Sequence, residues 1–138
     1  MNFKINNIED YLKSNDIKPS YQRIKIFEYL IKYKNHPTVD MIYKELVGEI
    51  PTLSKTTVYN TLKLFVEKNI VIVINIEDNE TRYDADTSFH GHFKCRKCKR
   101  VYDFRLEMPH IKDLEGFDID EYHFYLKGVC KSCKIQQN

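Results

Sequence analysis

Apolar residues in the first half of the chain recur every three or four positions, the spacing of one helical face. In "KPSYQRIKIFEYLIKY" these are Ile24, Phe27, Leu30 and Ile31, and Pro19 with Ser20 supplies a start signal. In "PTVDMIYKELVGEI" they are Val39, Ile42, Tyr43 and Leu46, with Gly48 and Pro51 closing the segment. In "SKTTVYNTLKLFVEKN" they are Val58, Leu62, Phe65 and Val66, behind Ser54 as an N-cap. A shorter amphipathic stretch, "NIEDYLKSND", precedes all of them. The period then changes. "IVIVINI" is β-branched, "EDNE" is a polar turn and "TRYD" resumes the extended pattern, which predicts a hairpin. Helices followed by a hairpin predict a winged helix-turn-helix, whose last helix is built to enter a major groove. The exposed face of that helix would carry Ser54, Lys55, Thr56, Thr57, Tyr59, Asn60 and Lys63, residue types suited to phosphates and base edges. Lys18, Arg23 and Lys25 could add phosphate contacts. The same residues would also serve as an ordinary solvated helix face.

From about Asp84 the character changes. Histidines and cysteines sit in short strand-like pieces, "HGHFKC", "RVYDF" and "EYHFYLKGVC", and "LEMPHIKDLEG" predicts a helix ending at Gly116. The expected fold is α+β, with a winged-helix domain over residues 1–83 and a small α/β domain over 84–138. The hinge falls at about 83–89, in "RYDADTS". A length of 138 residues suits one compact domain or two small ones. Hydrophobic content of 42% is enough for a core, and a net charge of +2 means that nucleic-acid binding must come from a local patch. The start of the chain has no apolar block of the signal-peptide kind. The longest apolar run, Ile70 to Ile74, is far too short to span a membrane. The expectation is a soluble, cytoplasmic protein.

The four cysteines form two C-x-x-C pairs, Cys95/Cys98 and Cys130/Cys133. In a reducing compartment that spacing points to metal rather than disulfides. Four thiolates complete a tetrahedral, closed structural zinc site that ties distant segments together. Free buried cysteines or a redox pair are the alternative. A closed thiolate site leaves His90 and His92 unused. Two apart on a strand, they face one side and converge. Asp84 and Asp103 stand within plausible reach, and His36 in "KNHPT" could complete the set. Such a shell is harder than a thiolate shell and suits iron(II), manganese or zinc. H-x-H also occurs on exposed strands with no ligand role.

The pieces "SYQRIKIFEYL", "HPTVDMIYKEL", "LSKTTVYNTLKLF", "TRYDADTSFHGHFKCRKC", "VYDF" and "YLKGVCKSC" together resemble the ferric uptake regulator (Fur) family of bacterial metal-dependent repressors, in order and over nearly the whole chain. The resemblance implies an N-terminal winged-helix DNA-binding domain, a hinge, and a C-terminal dimerisation domain. It implies a homodimer that binds palindromic double-stranded operator DNA when the regulatory metal is present. Tyr59 falls where the family places a base-contacting tyrosine. Within the family the chain is most similar to the peroxide-sensing branch, whose regulatory site of three histidines and two aspartates falls on His36, Asp84, His90, His92 and Asp103. Iron-sensing members usually carry glutamate at one or both aspartate positions. Cofactors implied are structural Zn2+ and regulatory Fe2+ or Mn2+, with Zn2+ able to replace the latter in vitro. Peroxide sensing would proceed by iron-catalysed oxidation of a ligand, His36 or His90. One departure concerns a third site found in many iron- and zinc-sensing relatives. Tyr122 stands at its histidine position, and the neighbouring His123 would point to the opposite strand face. That site is expected to be absent, and His123 and His110 to be ordinary surface or hydrogen-bonded histidines.

The nearest rival is an iron- or zinc-responsive regulator on the same fold. A metal-dependent hydrolase or oxygenase would need open metal positions and a nearby acid or base. The obvious carboxylates are already used as ligands and no G-x-S-x-G motif occurs, so no enzyme activity is expected. A zinc-stabilised DNA-binding or interaction module without sensing is the third reading.

Overall fold

A computed structural model describes residues 7–77, 80–88, 90–120 and 122–136. The chain divides into two compact units, Met1–Thr87 and Ser88–Asn138.

The first unit is helical and then extended: α1 (Ile8–Ser14), α2 (Tyr21–Tyr33), α3 (Val39–Leu46), α4 (Lys55–Glu67), β1 (Ile72–Glu77) and β2 (Glu80–Asp84). Every helix of this unit starts on a side-chain cap. Asn7, Ser20, Thr38 and Ser54 accept from the backbone N–H three residues on, at Asp10, Arg23, Met41 and Thr57. Each cap satisfies a donor that the first turn leaves without an intrahelical partner. The helices pack around Phe27 and Phe65, which meet edge to face at 5.5 Å, with Leu12, Ile26, Ile42, Val58 and Leu62 fully buried beside them. The buried stripes differ slightly from the periodicity. On α2 they are Ile26, Phe27, Tyr29 and Leu30, with Ile24 and Ile31 only partly covered. On α4 Thr61 is buried and Val66 is at the margin. A helical face is wider than its most apolar row, so small rotations exchange flanking positions. β1 and β2 pair antiparallel, Ile72 with Asp84, Val73 with Tyr83 and Ile74 with Arg82. The centre of the expected "EDNE" turn, residues 78 and 79, lies outside the described residues.

The second unit holds a three-stranded sheet in the order β4-β3-β5, with β3 at Gly91–Cys95, β4 at Val101–Phe104 and β5 at Tyr125–Gly128. β3 runs antiparallel to β4 and parallel to β5. A short helix, α5 (Lys131–Ile135), follows β5. The helix expected over "LEMPHIKDLEG" is not formed; only a 3-10 turn at Lys112–Leu114 appears there. Pro109 supplies no N–H and disfavours helical backbone at Met108. The apolar residues that should have anchored such a helix, Met108 and Ile111, are exposed. Amphipathic spacing without a surface to bury against does not hold a helix.

Candidate metal centres

The thiolate cluster is built by strand pairing. Cys95 ends β3, and Cys130 follows β5 as the residue before α5. Because β3 and β5 run parallel, with Cys95 opposite Gly128, both C-x-x-C motifs arrive at one end of the sheet. The turn after β3 brings Cys98 back, helped by a left-handed Lys99 whose N–H donates to the Cys95 carbonyl at 3.0 Å. The first turn of α5 carries Cys133. All four ligand sulfurs lie within 4.8 Å of one another, and Cys98 Sγ and Cys130 Sγ are 3.8 Å apart. A tetrahedron with arms of about 2.3 Å has edges of about 3.8 Å, so the cluster fits a four-thiolate zinc shell. The backbone supports the charge of such a shell. The N–H groups of Cys130 and Cys98 donate to Cys95 Sγ at 3.3 and 3.5 Å. Burial pushes the Cys95 thiol up, but backbone donors from Cys130, Cys98 and Lys97 together prevail and bring it down to about 5. A hydrogen bond with the Tyr102 side chain lowers Cys130, and the Cys133 backbone adds to it. Hydrogen bonding with Cys130, then burial, pushes Cys133 up to about 12. The protein alone therefore lowers Cys95 and Cys130 toward the thiolate form; a bound dication would make thiolates of all four.

The harder ligands fall in two groups, one in each unit. In the second unit His92 sits opposite Asp103 in the β3–β4 register, so both side chains share a sheet face. His90 Nε2 and His92 Nε2 lie 3.3 and 3.2 Å from the same oxygen, Asp103 Oδ1, and the two rings are 4.5 Å apart. Ligand atoms at right angles on arms of about 2.1 Å lie about 3 Å apart, so these spacings suit a shared ion. His90 Nδ1 is 2.6 Å from the Ser88 carbonyl, so Nδ1 donates to it and Nε2 is the nitrogen that could face a metal. Between the two histidines, Gly91 leaves room for the Phe104 ring: a Cβ there would meet the ring on the other face and force it to move.

In the first unit, His36 is buried, 5% exposed, and has left-handed backbone with φ +51°. Its Nε2 faces Asp84 Oδ2 at 3.5 Å, and Asp84 closes β2. Asp84 is itself held, its Oδ1 accepting from the Asp86 N–H at 2.9 Å. Periodicity missed a residue in this region, Arg82, which donates from Nη1 to the His36 carbonyl at 3.0 Å. Half of the signal was present in "TRYD", where Arg82 and Asp84, two apart on a strand, share a face; its partner, a carbonyl 46 residues away, was not.

The histidines set aside on sequence have local partners. His123 Nδ1 lies 3.3 Å from the Tyr125 hydroxyl, and His110 Nε2 lies 3.0 Å from Glu115 Oε1. Neither joins a cluster of potential ligands among the described residues. The strand-face argument against His123 does not apply as given, because β5 begins only at Tyr125, and Tyr122 and His123 are both exposed.

On the candidate nucleic-acid face, Ser54, Lys55, Thr56, Tyr59, Asn60 and Lys63 are exposed and Thr57 is half-buried. Lys18, Arg23, Thr57 and Asn60 line a cleft of about 660 Å³ between the start of α2 and α4. Arg23 Nη1 donates to the Lys18 carbonyl at 2.7 Å, bracing one wall. Two basic residues are already engaged. Lys25 pairs with Glu49 at 3.0 Å and Glu28 at 3.5 Å. Lys55 pairs with Asp40 at 2.7 Å, and hydrogen bonds from Lys55 and then Lys44 hold the Asp40 carboxyl below its usual range.

A winged-helix unit followed by a small sheet unit with a four-cysteine cluster defines a metal-binding winged-helix protein. The sequence model of the ferric uptake regulator family matches residues 14–133. The chain belongs to that family. A peroxide operon regulator of Bacillus subtilis is 35% identical over 134 residues, covering 92% of this chain and 91% of the relative. A solved structure of PerR from Streptococcus pyogenes, concerned with peroxide sensing and gene regulation, is 27% identical with a TM-score of 0.54, over 92% of this chain and 90% of that one. The ferric uptake regulator of Vibrio cholerae shares the fold at 24% identity, with a TM-score of 0.72 over 90% of this chain and all of that one (100%).

Proposed function

We propose that this protein is a peroxide-responsive, metal-dependent DNA-binding repressor. A structural zinc ion would be held by Cys95, Cys98, Cys130 and Cys133. A regulatory iron(II) or manganese(II) would be held by His36, Asp84, His90, His92 and Asp103. The observation that carries this reading is the convergence of His90 and His92 on Asp103, with the His90 tautomer set by Ser88. The local pairing of His36 with Asp84 supports it, as does the likeness to a peroxide operon regulator.

Ligands drawn from both units make the regulatory ion a coupling element. A dication that all five ligands bind together favours one mutual arrangement of the units. In a homodimer this sets the spacing of the two recognition helices against palindromic half-sites of duplex DNA. DNA and metal then strengthen each other reciprocally. Exposed Phe117, Leu126 and Ile135 in the second unit offer apolar surface for a dimer contact. The site of action proposed is the cytoplasm, where the operator DNA lies; among the described residues no helix is long and apolar enough to cross a membrane. The chain acts as a regulator and turns over no substrate.

Iron(II) held by these ligands would supply redox chemistry toward hydrogen peroxide; the net change would replace a ring C–H of His36 or His90 with C–OH, the second peroxide oxygen leaving as water. An oxidised ring is a poor ligand, so metal is lost and DNA is released. Manganese does not readily support this reaction. The test is DNA binding by the zinc-loaded protein with either metal, before and after a low dose of peroxide. Loss of DNA by the iron form alone, with one added oxygen on a His36 or His90 peptide, is the expected result. If both forms keep DNA until metal is removed, the protein senses metal supply instead, as an iron- or zinc-responsive regulator.

A further inference from the structure

The loop after α2 holds His36 in a conformation that histidine seldom adopts alone. Lys34 and His36 both have left-handed backbone, φ +47° and +51°. Such geometry is unfavourable for a non-glycine residue and persists only where surroundings enforce it. Here the enforcement comes from β2. The Arg82 side chain, 10% exposed, donates from Nη1 to the His36 carbonyl at 3.0 Å, and its Nη2 lies 3.5 Å from Glu80 Oε2. The next residue adds a second tie, as the Tyr83 N–H donates to the Pro37 carbonyl at 3.0 Å. Two residues past Arg82, Asp84 faces the His36 imidazole. One strand thus grips one residue twice, by its carbonyl through Arg82 and at its ring through Asp84.

We propose that Arg82 is a positioning residue for the regulatory metal, fixing the left-handed backbone that aims His36 Nε2 at the Asp84 carboxylate. The proposal rests on the reading of His36 and Asp84 as ligands. A charge-assisted bond to a buried carbonyl is stronger than a neutral one, and the guanidinium is more rigid than an ammonium group. Without it the loop relaxes toward ordinary backbone and the imidazole swings from its line. Free metal must then restore that geometry at the expense of affinity. Residues that orient ligands in this way change metal affinity by roughly 10- to 100-fold when replaced.

The experiment is Mn2+ titration of the zinc-loaded, full-length protein, comparing Arg82→Gln, Arg82→Lys and His36→Ala with the parent, well below each melting midpoint. Thermal unfolding is recorded in parallel without Mn2+. The expected result is a loss of about 10- to 100-fold in Mn2+ affinity for Arg82→Gln, a smaller loss for Arg82→Lys, and a loss at least as large as that of Arg82→Gln for His36→Ala. A purely structural arginine would lower the melting midpoint and leave the Mn2+ affinity of the folded protein alone. If His36→Ala loses Mn2+ while both Arg82 variants bind within twofold of the parent, the positioning role is overturned and the ligand reading stands. If His36→Ala binds Mn2+ normally, both fall. Should Arg82→Gln fail to fold, Arg82→Lys decides alone: affinity within twofold of the parent overturns the proposal.

Discussion

The two units of this chain are held together by different physics. The first has a continuous apolar core drawn from all four of its helices and its hairpin, from Leu12 to Ala85, with Phe27 and Phe65 at its centre. In the second, Val101, Cys95 and Cys130 are the buried hydrophobic residues among those described, and His92 and Lys94 are buried beside them. Lys94 is accommodated because its ammonium donates to the Lys99 carbonyl at 2.6 Å. A sheet of three short strands buries too little apolar surface to offset the entropy of ordering its loops. The four-cysteine cluster supplies what the core lacks, joining the ends of β3 and β5. A unit with its own core can fold before metal arrives; one stapled by thiolates depends on it.

The widest gap between the units should open on zinc removal. Cys95→Ser, or strong chelation, is expected to abolish folded NMR or hydrogen-exchange signals over residues 90–136 and leave the helices of residues 8–67 cooperatively folded. Retention of protected amides in β3 and β5 without zinc would end the contrast. A change in the first unit should act the other way. Phe65→Ala removes a fully buried ring and is expected to cost about 3–5 kcal/mol in denaturant unfolding of that unit, with zinc stoichiometry unchanged. Loss of zinc from that variant would mean that the units do not stand separately. A smaller effect, about 1–3 kcal/mol, is expected for Gly91→Ala, whose added methyl meets the Phe104 ring and strains the β3–β4 register. Since that register aligns His92 with Asp103, Mn2+ affinity should fall with it. Unchanged Mn2+ binding would show that the histidine pair tolerates a shifted strand.

Local signals were legible wherever a residue type has few alternatives. Ser54 was readable as a cap, and it accepts the Thr57 N–H at 3.0 Å. The change of hydrophobic period near Ile70 marked the start of the hairpin. The segment around Pro109 misled because its apolar spacing is helical, and spacing does not reveal whether any surface is available to cover it. The ion pairs of Lys25 and Lys55 were not legible, because Glu49 comes from the turn after α3 and Asp40 from α3 itself.

By itself the sequence determined the helical first half, the hairpin, the two cysteine pairs and the ligand types. These follow from periods of 3.6 and 2, and from thiolate and imidazole chemistry within a few residues. Only the tertiary structure decided that β5 joins β3 in parallel, which brings cysteines 35 residues apart into hydrogen-bond contact at 3.3 Å. It also decided that Arg82 reaches a carbonyl 46 residues away and holds His36 in a left-handed turn. Such choices depend on which backbone groups meet across the fold, and no local pattern of side chains encodes that meeting.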